Sequence, residues 1–447
     1  MKKKELIKYI LLFFFFFASL VFIFTLSRGD TFVNYGFSYA ISRGEIPYKD
    51  FNMIITPFAP FLYSIGLFVC KNILVYYFEQ AFLLTCMFYL LEKLIGKKSI
   101  LFLLFLIVPY PVAMVSTVFP GYNFLLVFMF ILFIYCFKNN CSDYLLGIIL
   151  GLIFCTKQTI GLVLFLPTFY YLFKNRKKFF KICIGYLIPI VCLLLYLLIT
   201  GCLNEFVNLC FLGLFDFNNG NSQIDIFYFI VFLIGIAYLL FRIYKEPKNV
   251  LLYYGLLFSS VIIPIVDYYH VSLFLVIVCY FFVENISIKK EYYKYLKIGI
   301  ISLTVIWGVV TYIYFRKPVI SNFNNFNWVV WEKGYVKNVN ELLQFVDKSD
   351  KKVIYFMRGS ENYYFKIINN QKLDYFDLPN CGNYGYNGIN KMKMKINKEH
   401  NVYFVIDREL VKNNDANQQY LKQLGEYVIN ESSFVKEIGL YDVYYKE

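Results

Sequence analysis

Histidine is almost absent from this chain: His270 and His400 are the only two, too few for a histidine-rich metal site. None of the 11 cysteines pairs as C-x-x-C, and almost all stand inside apolar runs, Cys70, Cys86, Cys155, Cys183, Cys192 and Cys279 among them. That pattern excludes a disulfide framework and a zinc site, and the cysteines read as small buried apolar residues. Charge is also scarce, at 17% of 447 residues. The sequence holds no phosphate-cradling P-loop, no nucleophile elbow and no G-x-G-x-x-G after a strand.

What is present is hydrophobic: 59% of residues are hydrophobic and 21% aromatic, with a mean hydropathy of +0.55. A soluble protein does not tolerate that balance, so the chain reads as a polytopic α-helical membrane protein. The net charge of +14 would suit nucleic acid, but Lys and Arg cluster in short segments between apolar runs. That is the pattern of cytoplasmic loops; it implies orientation and contact with anionic membrane lipid and no nucleic-acid partner. The wealth of Lys, Ile, Asn, Phe and Tyr points to an AT-rich bacterium, and so to a bacterial cytoplasmic membrane. The amino-terminal MKKKELIKYILLFFFFFASLVFIF lacks a small-x-small cleavage site before Arg28 and reads as an uncleaved first helix.

About eleven apolar runs are candidate transmembrane helices: 7–26, 73–91, 99–118, 121–137, 143–156, 159–173, 181–200, 225–242, 249–266, 270–285 and 297–315. With a cytoplasmic amino terminus, every inside segment carries Lys or Arg. The outer connections after the first loop carry only Lys157. The alternation requires the apolar segment from Pro57 to Cys70 to lie along the membrane or re-enter it. Composition changes after Tyr314. Residues 316–447 are expected to form a soluble extracytoplasmic α/β domain of ~130 residues, beside a membrane domain over 1–315. Within it Val339–Val346 is predicted helical, 353–357 (VIYFM) and 402–406 (VYFVI) are predicted strands, and Phe434–Tyr445 a terminal hairpin.

The stretch Arg28–Tyr63, in the external loop 27–72, carries charge where the first apolar run ends. Asp30 stands four residues after Leu26, at the membrane boundary. Tyr35, Tyr39 and Ala40 follow at helical spacing, Gly44 breaks the helix, Pro47, Tyr48, Asp50 and Phe51 form a turn, and Pro57 and Pro60 start a new apolar helix. The order is acid, short helix, G-x-x-P-Y-x-D-F, then P-x-x-P. It resembles the first external loop of the glycosyltransferase-C superfamily, in the bacterial branch near the protein mannosyltransferases and aminoarabinose transferases.

The resemblance implies a membrane glycosyltransferase that moves a sugar from a polyprenyl-phosphate donor to an acceptor hydroxyl of a glycan, lipid or protein. Transfer would occur on the outer membrane face, with inversion; no cofactor is expected, and a divalent metal is left open, with no residue in the sequence that calls for one. Asp30 would be the base that takes the acceptor proton; the alternative is a helix cap. Relatives often have a second acid beside the first, where this chain has Thr31. Asp50 or Glu45 would then serve, with Tyr48 among the orienting residues; a turn-stabilising role for Asp50 stands equally.

Lys157 and Gln158, in FCTKQTIG, resemble a Lys-Gln pair of bacterial relatives, and Lys157 would pair with the donor phosphate. Its other reading is snorkelling to headgroups. In PIVDYYHVSLF, His270 would contact the phosphate with Asp267 orienting it, or the corner is an aromatic belt with a capping Asp. Glu205 and Asp216 are candidate acceptor contacts, and Tyr122 and Asn123 read as turn residues. The competing reading is a polysaccharide or lipid-linked glycan transporter, flippase or polymerase-like protein, though no internal repeat supports it.

Overall fold

In lipid a chain can satisfy its N–H and C=O groups only within itself, so the apolar runs are bound to become helices. The computed structural model describes residues 3–24, 30–102, 121–214, 224–263, 266–287, 319–321, 329–331, 340–346, 348–349, 351–357, 361–377, 385–386, 388–412 and 419–447, with a few single positions between. The helices include α1 (Lys3–Phe24), α2 (Asp30–Ser42), α3 (Phe58–Val69), α4 (Ile73–Ile95), α5 (Tyr122–Lys138), α6 (Asp143–Thr156), α7 (Gln158–Phe165), α8 (Arg176–Thr200), α9 (Leu203–Val207), α10 (Ile226–Lys245), α11 (Val250–Leu257) and α12 (Tyr268–Asn285), with a short helical turn at Tyr170–Lys174 before α8. The apolar runs expected at 99–118 and 297–315 lie mostly outside the described residues.

Three helical stretches among the described residues are long and apolar enough to cross a membrane: Ile73–Phe102, Arg176–Thr200 and Ile226–Lys245. Their faces agree with that composition. α8 leaves Phe180, Leu187, Leu195 and Ile199 exposed, and α10 leaves Phe227, Ile230, Ile234 and Phe241 exposed. Such surfaces suit lipid and are costly against water. α6 and α8 touch backbone to backbone, because a Cβ at Gly147 would sit 2.1 Å from the Ile182 carbonyl oxygen and one at Gly151 2.4 Å from that of Tyr186. Small residues four apart are what permits this approach between apolar helices. The pairing fixes the end of α6, and Lys157 is the next residue.

The first loop folds as its residues dictate. α2 ends at Ser42, and Gly44 follows with φ +84, a conformation open to glycine. The Asp50 carboxylate accepts the Ile46 N–H at 2.7 Å, and the Tyr48 N–H donates to the Phe51 carbonyl at 3.0 Å, which closes the turn. α3, at 12 residues, spans ~18 Å and is too short for the ~30 Å hydrocarbon core.

The carboxy-terminal part is α/β. Strands β1 (Val319–Ser321) and β2 (Val329–Trp331) pair antiparallel. The main sheet has the order β3-β4-β6-β5, with β3 (Lys352–Phe356), β4 (Val402–Asp407), β5 (Ser433–Ile438) and β6 (Tyr441–Lys446). β3 and β4 are parallel and the other pairs antiparallel. Helices α13 (Glu361–Ile368) and α14 (Gly388–Asn397) lie between β3 and β4, and α15 (Arg408–Lys412) and α16 (Gln419–Glu431) precede β5. Strand alternation sorts two cores. Ile354, Phe356, Phe404 and Ile406 pack with Met392, Ile396, Leu421 and Val428, whereas Val353, Tyr355 and Val405 join Tyr363 and Phe365 in the core continuous with the helical part. The two parts are thus packed together, with α13 against α2.

Candidate functional site

Asp30 is the first residue of α2, and only its backbone is among the described positions. Asn34, one turn on, shares its helix face and is buried over Gly121, where an added Cβ would sit 2.3 Å from the Asn34 side-chain carbon. Gly121 has φ +74, and its carbonyl accepts the Tyr63 hydroxyl at 3.3 Å. The ring of the next residue, Tyr122, carries the Lys157 ammonium 5.8 Å from its centroid, a cation–π distance.

Lys157 occupies the break between α6 and α7 in extended backbone, φ −149 and ψ 104. The Asp267 carboxylate lies within electrostatic range of the Lys157 ammonium. Asp267 caps α12, accepting the His270 N–H at 2.9 Å and meeting His270 Nδ1 at 2.7 Å. That contact places the ring proton on Nδ1 and leaves Nε2 as the other ring nitrogen, a donor when the ring is protonated. The amino-terminal end of α2, Tyr122, Lys157, Asp267 and His270 therefore meet at one corner. The Lys157 cation, steadied by the Tyr122 ring, and an oriented imidazole that donates from Nε2 when protonated suit an anion such as a phosphate.

The other expected site residues lie in a second cluster and are engaged in structure. Tyr48 is buried with φ 67, donates its hydroxyl to the Ile55 carbonyl and stacks edge-on against Phe206 at 5.3 Å. Gln158 is buried, its amide donating to the Cys210 carbonyl at 2.5 Å, while its Oε1 has no partner. Asp50 is exposed and serves its turn. Glu45 is buried, pairs with Arg43 at 3.2 Å and accepts the Leu373 N–H at 3.0 Å, so it ties the loop to the carboxy-terminal domain. Burial pushes its carboxyl up to about 7, against the lowering effects of Arg43 and that hydrogen bond. Glu205 holds Lys391 at 2.9 Å across the same interface and accepts the amide of Asn208, three residues on, at 3.1 Å. Asp216 lies outside the described residues.

Sequence reasoning passed over Asn34, took Tyr122 for a plain turn residue, and missed Glu79. Glu79 sits inside an apolar helix, where its Oε1 accepts the Gly66 N–H at 2.7 Å and its Oε2 has no partner. An acid within such a run was a readable signal; the long-range contacts of Asn34 and Tyr122 were not. Among the described residues no three His, Cys, Asp or Glu gather to hold a metal. Comparison with family models, curated proteins and solved structures finds no match to this chain.

Proposed function

We propose that this chain is an integral-membrane glycosyltransferase of about eleven spans that transfers a sugar from a polyprenyl-phosphate donor to an acceptor hydroxyl at the outer face of a bacterial cytoplasmic membrane. The observation that carries the reading is the corner itself: the helix opened by the boundary acid Asp30 begins beside Tyr122, Lys157, Asp267 and His270. In this reading Lys157 and His270 hold the donor phosphate and offset the charge that develops as it leaves. Asp30 takes the acceptor proton while that oxygen attacks the anomeric carbon, which inverts. A donor delivered in the membrane needs no nucleotide-binding domain.

Glu79 favours a second reading, a glycan transporter or flippase, because an acid in an apolar helix is a common element of coupled transport. The test is transfer from a panel of radiolabelled polyprenyl-phosphate sugars by the purified protein in vesicles without an ion gradient. Glycosylated product supports the enzyme; movement of labelled lipid that requires a gradient, with no new glycosidic bond, supports the transporter.

A further inference from the structure

α2 is held on its outer side as well as at the corner. A Cβ at Gly36 would sit 2.7 Å from the Tyr363 ring of α13, and Phe37 meets the same ring edge-on with centroids 5.7 Å apart. Tyr363 is fully buried and locked at its far end, its hydroxyl donating to the Asp377 carbonyl at 3.0 Å. The Asp377 carboxylate is fixed by buried Lys366 at 2.8 Å and by Asn362 at 3.2 Å, and Lys366 also takes Asp374 at 2.8 Å. Seven residues after Gly36, Arg43 donates to Asn370 and to the Gln371 carbonyl. The carboxy-terminal domain thus grips α2 at two places through one braced unit.

We infer that Tyr363 is a positioning residue for the candidate site: its ring against Gly36 sets where the Asp30–Asn34 end of α2 stands relative to Tyr122, Lys157, Asp267 and His270. The catalytic consequence rests on the glycosyltransferase reading; the mechanical one does not. Gly36 has no side chain to fill the space that a lost ring would leave, so α2 pivots when the ring goes. A shift of about an ångström at a reacting group costs up to ~100-fold in rate.

The test uses the full-length protein in lipid nanodiscs, with Tyr363→Ala, Tyr363→Phe and Gly36→Ala, and reads hydrogen exchange over residues 33–42 beside transfer kinetics. In Tyr363→Ala and Gly36→Ala, exchange over 33–42 rises about tenfold and kcat falls about tenfold or more, while the donor KM holds. Tyr363→Phe, which keeps the ring, retains near-native values of both. Should Tyr363→Ala lose protection throughout, Gly36→Ala decides, because it displaces the ring instead of deleting it. Unchanged exchange over 33–42 overturns the inference, and so does raised exchange with native kcat. A wild type that transfers nothing from any donor sinks the enzyme reading alone, since the exchange result stands without it.

Discussion

Lys157 is the single residue between α6 and α7, which turn back on each other at Phe154 and Gly161, where an added Cβ on Gly161 would sit 2.2 Å from the Phe154 backbone. With so little room the backbone cannot reposition the ammonium, so the charge is placed by the fold. Lys157→Ala is expected to raise the donor KM about tenfold or more with a smaller effect on kcat, read from initial rates against donor concentration. An unchanged donor dependence would remove the phosphate role.

Glu45 makes a second residue-level prediction. Its carboxyl rises from 4.5 to about 7 on burial, so the docked state binds the proton more tightly than the undocked state. The contact is therefore firmest at low pH and weakens as pH climbs from 4.5 to about 7. The charged groups facing it are Arg43 and Asp50 from its own loop and Lys372 from the opposite one, beside the Leu373 N–H. Hydrogen exchange over residues 369–373 is expected to rise across that window in the wild type and to stay flat in Glu45→Gln; a flat wild-type profile would contradict it.

At the scale of elements, the α6–α8 pair carries the corner. Leucine at Gly147 would drive a side chain into the Ile182 backbone, at a cost of about 1–3 kcal/mol or more, seen as a lowered thermal midpoint in detergent together with weakened donor use. Local elements were legible because their causes are local. Gly44, the Pro47–Phe51 turn and Pro57 bound α2 and α3 as the sequence indicates, and the apolar runs at 353–357 and 402–406 became adjacent parallel strands. The site was legible only in part. Asp267 and His270 stand three apart, and a helix cap joins them. Gln158 instead spends its amide on carbonyls 52 and 104 residues away, and nothing in its neighbourhood of sequence announces that. Asn34 over Gly121 is the same case, a contact made by packing between distant segments.

For the whole molecule, the carboxy-terminal domain packs on α2 through Tyr363, on the 42–57 loop through Leu373 and on Glu205 through Lys391, so those parts share one side of any membrane that the chain crosses. In a cysteine-free background, Lys71→Cys and Ser433→Cys are expected to react with an impermeant maleimide from outside intact cells and Lys97→Cys only after lysis. Labelling of Lys71 and Lys97 from the same side would contradict the orientation read from the basic loops.

The measurement that bears most directly on the central claim is single-turnover transfer from a radiolabelled polyprenyl-phosphate sugar by wild type and Asp30→Asn, with donor binding measured on both. The substitution keeps the side-chain size and removes the base, so donor binding is expected to hold while transfer falls by about 100-fold or more. Equal transfer by the two proteins would remove Asp30 as the base and with it the proposed role of the corner.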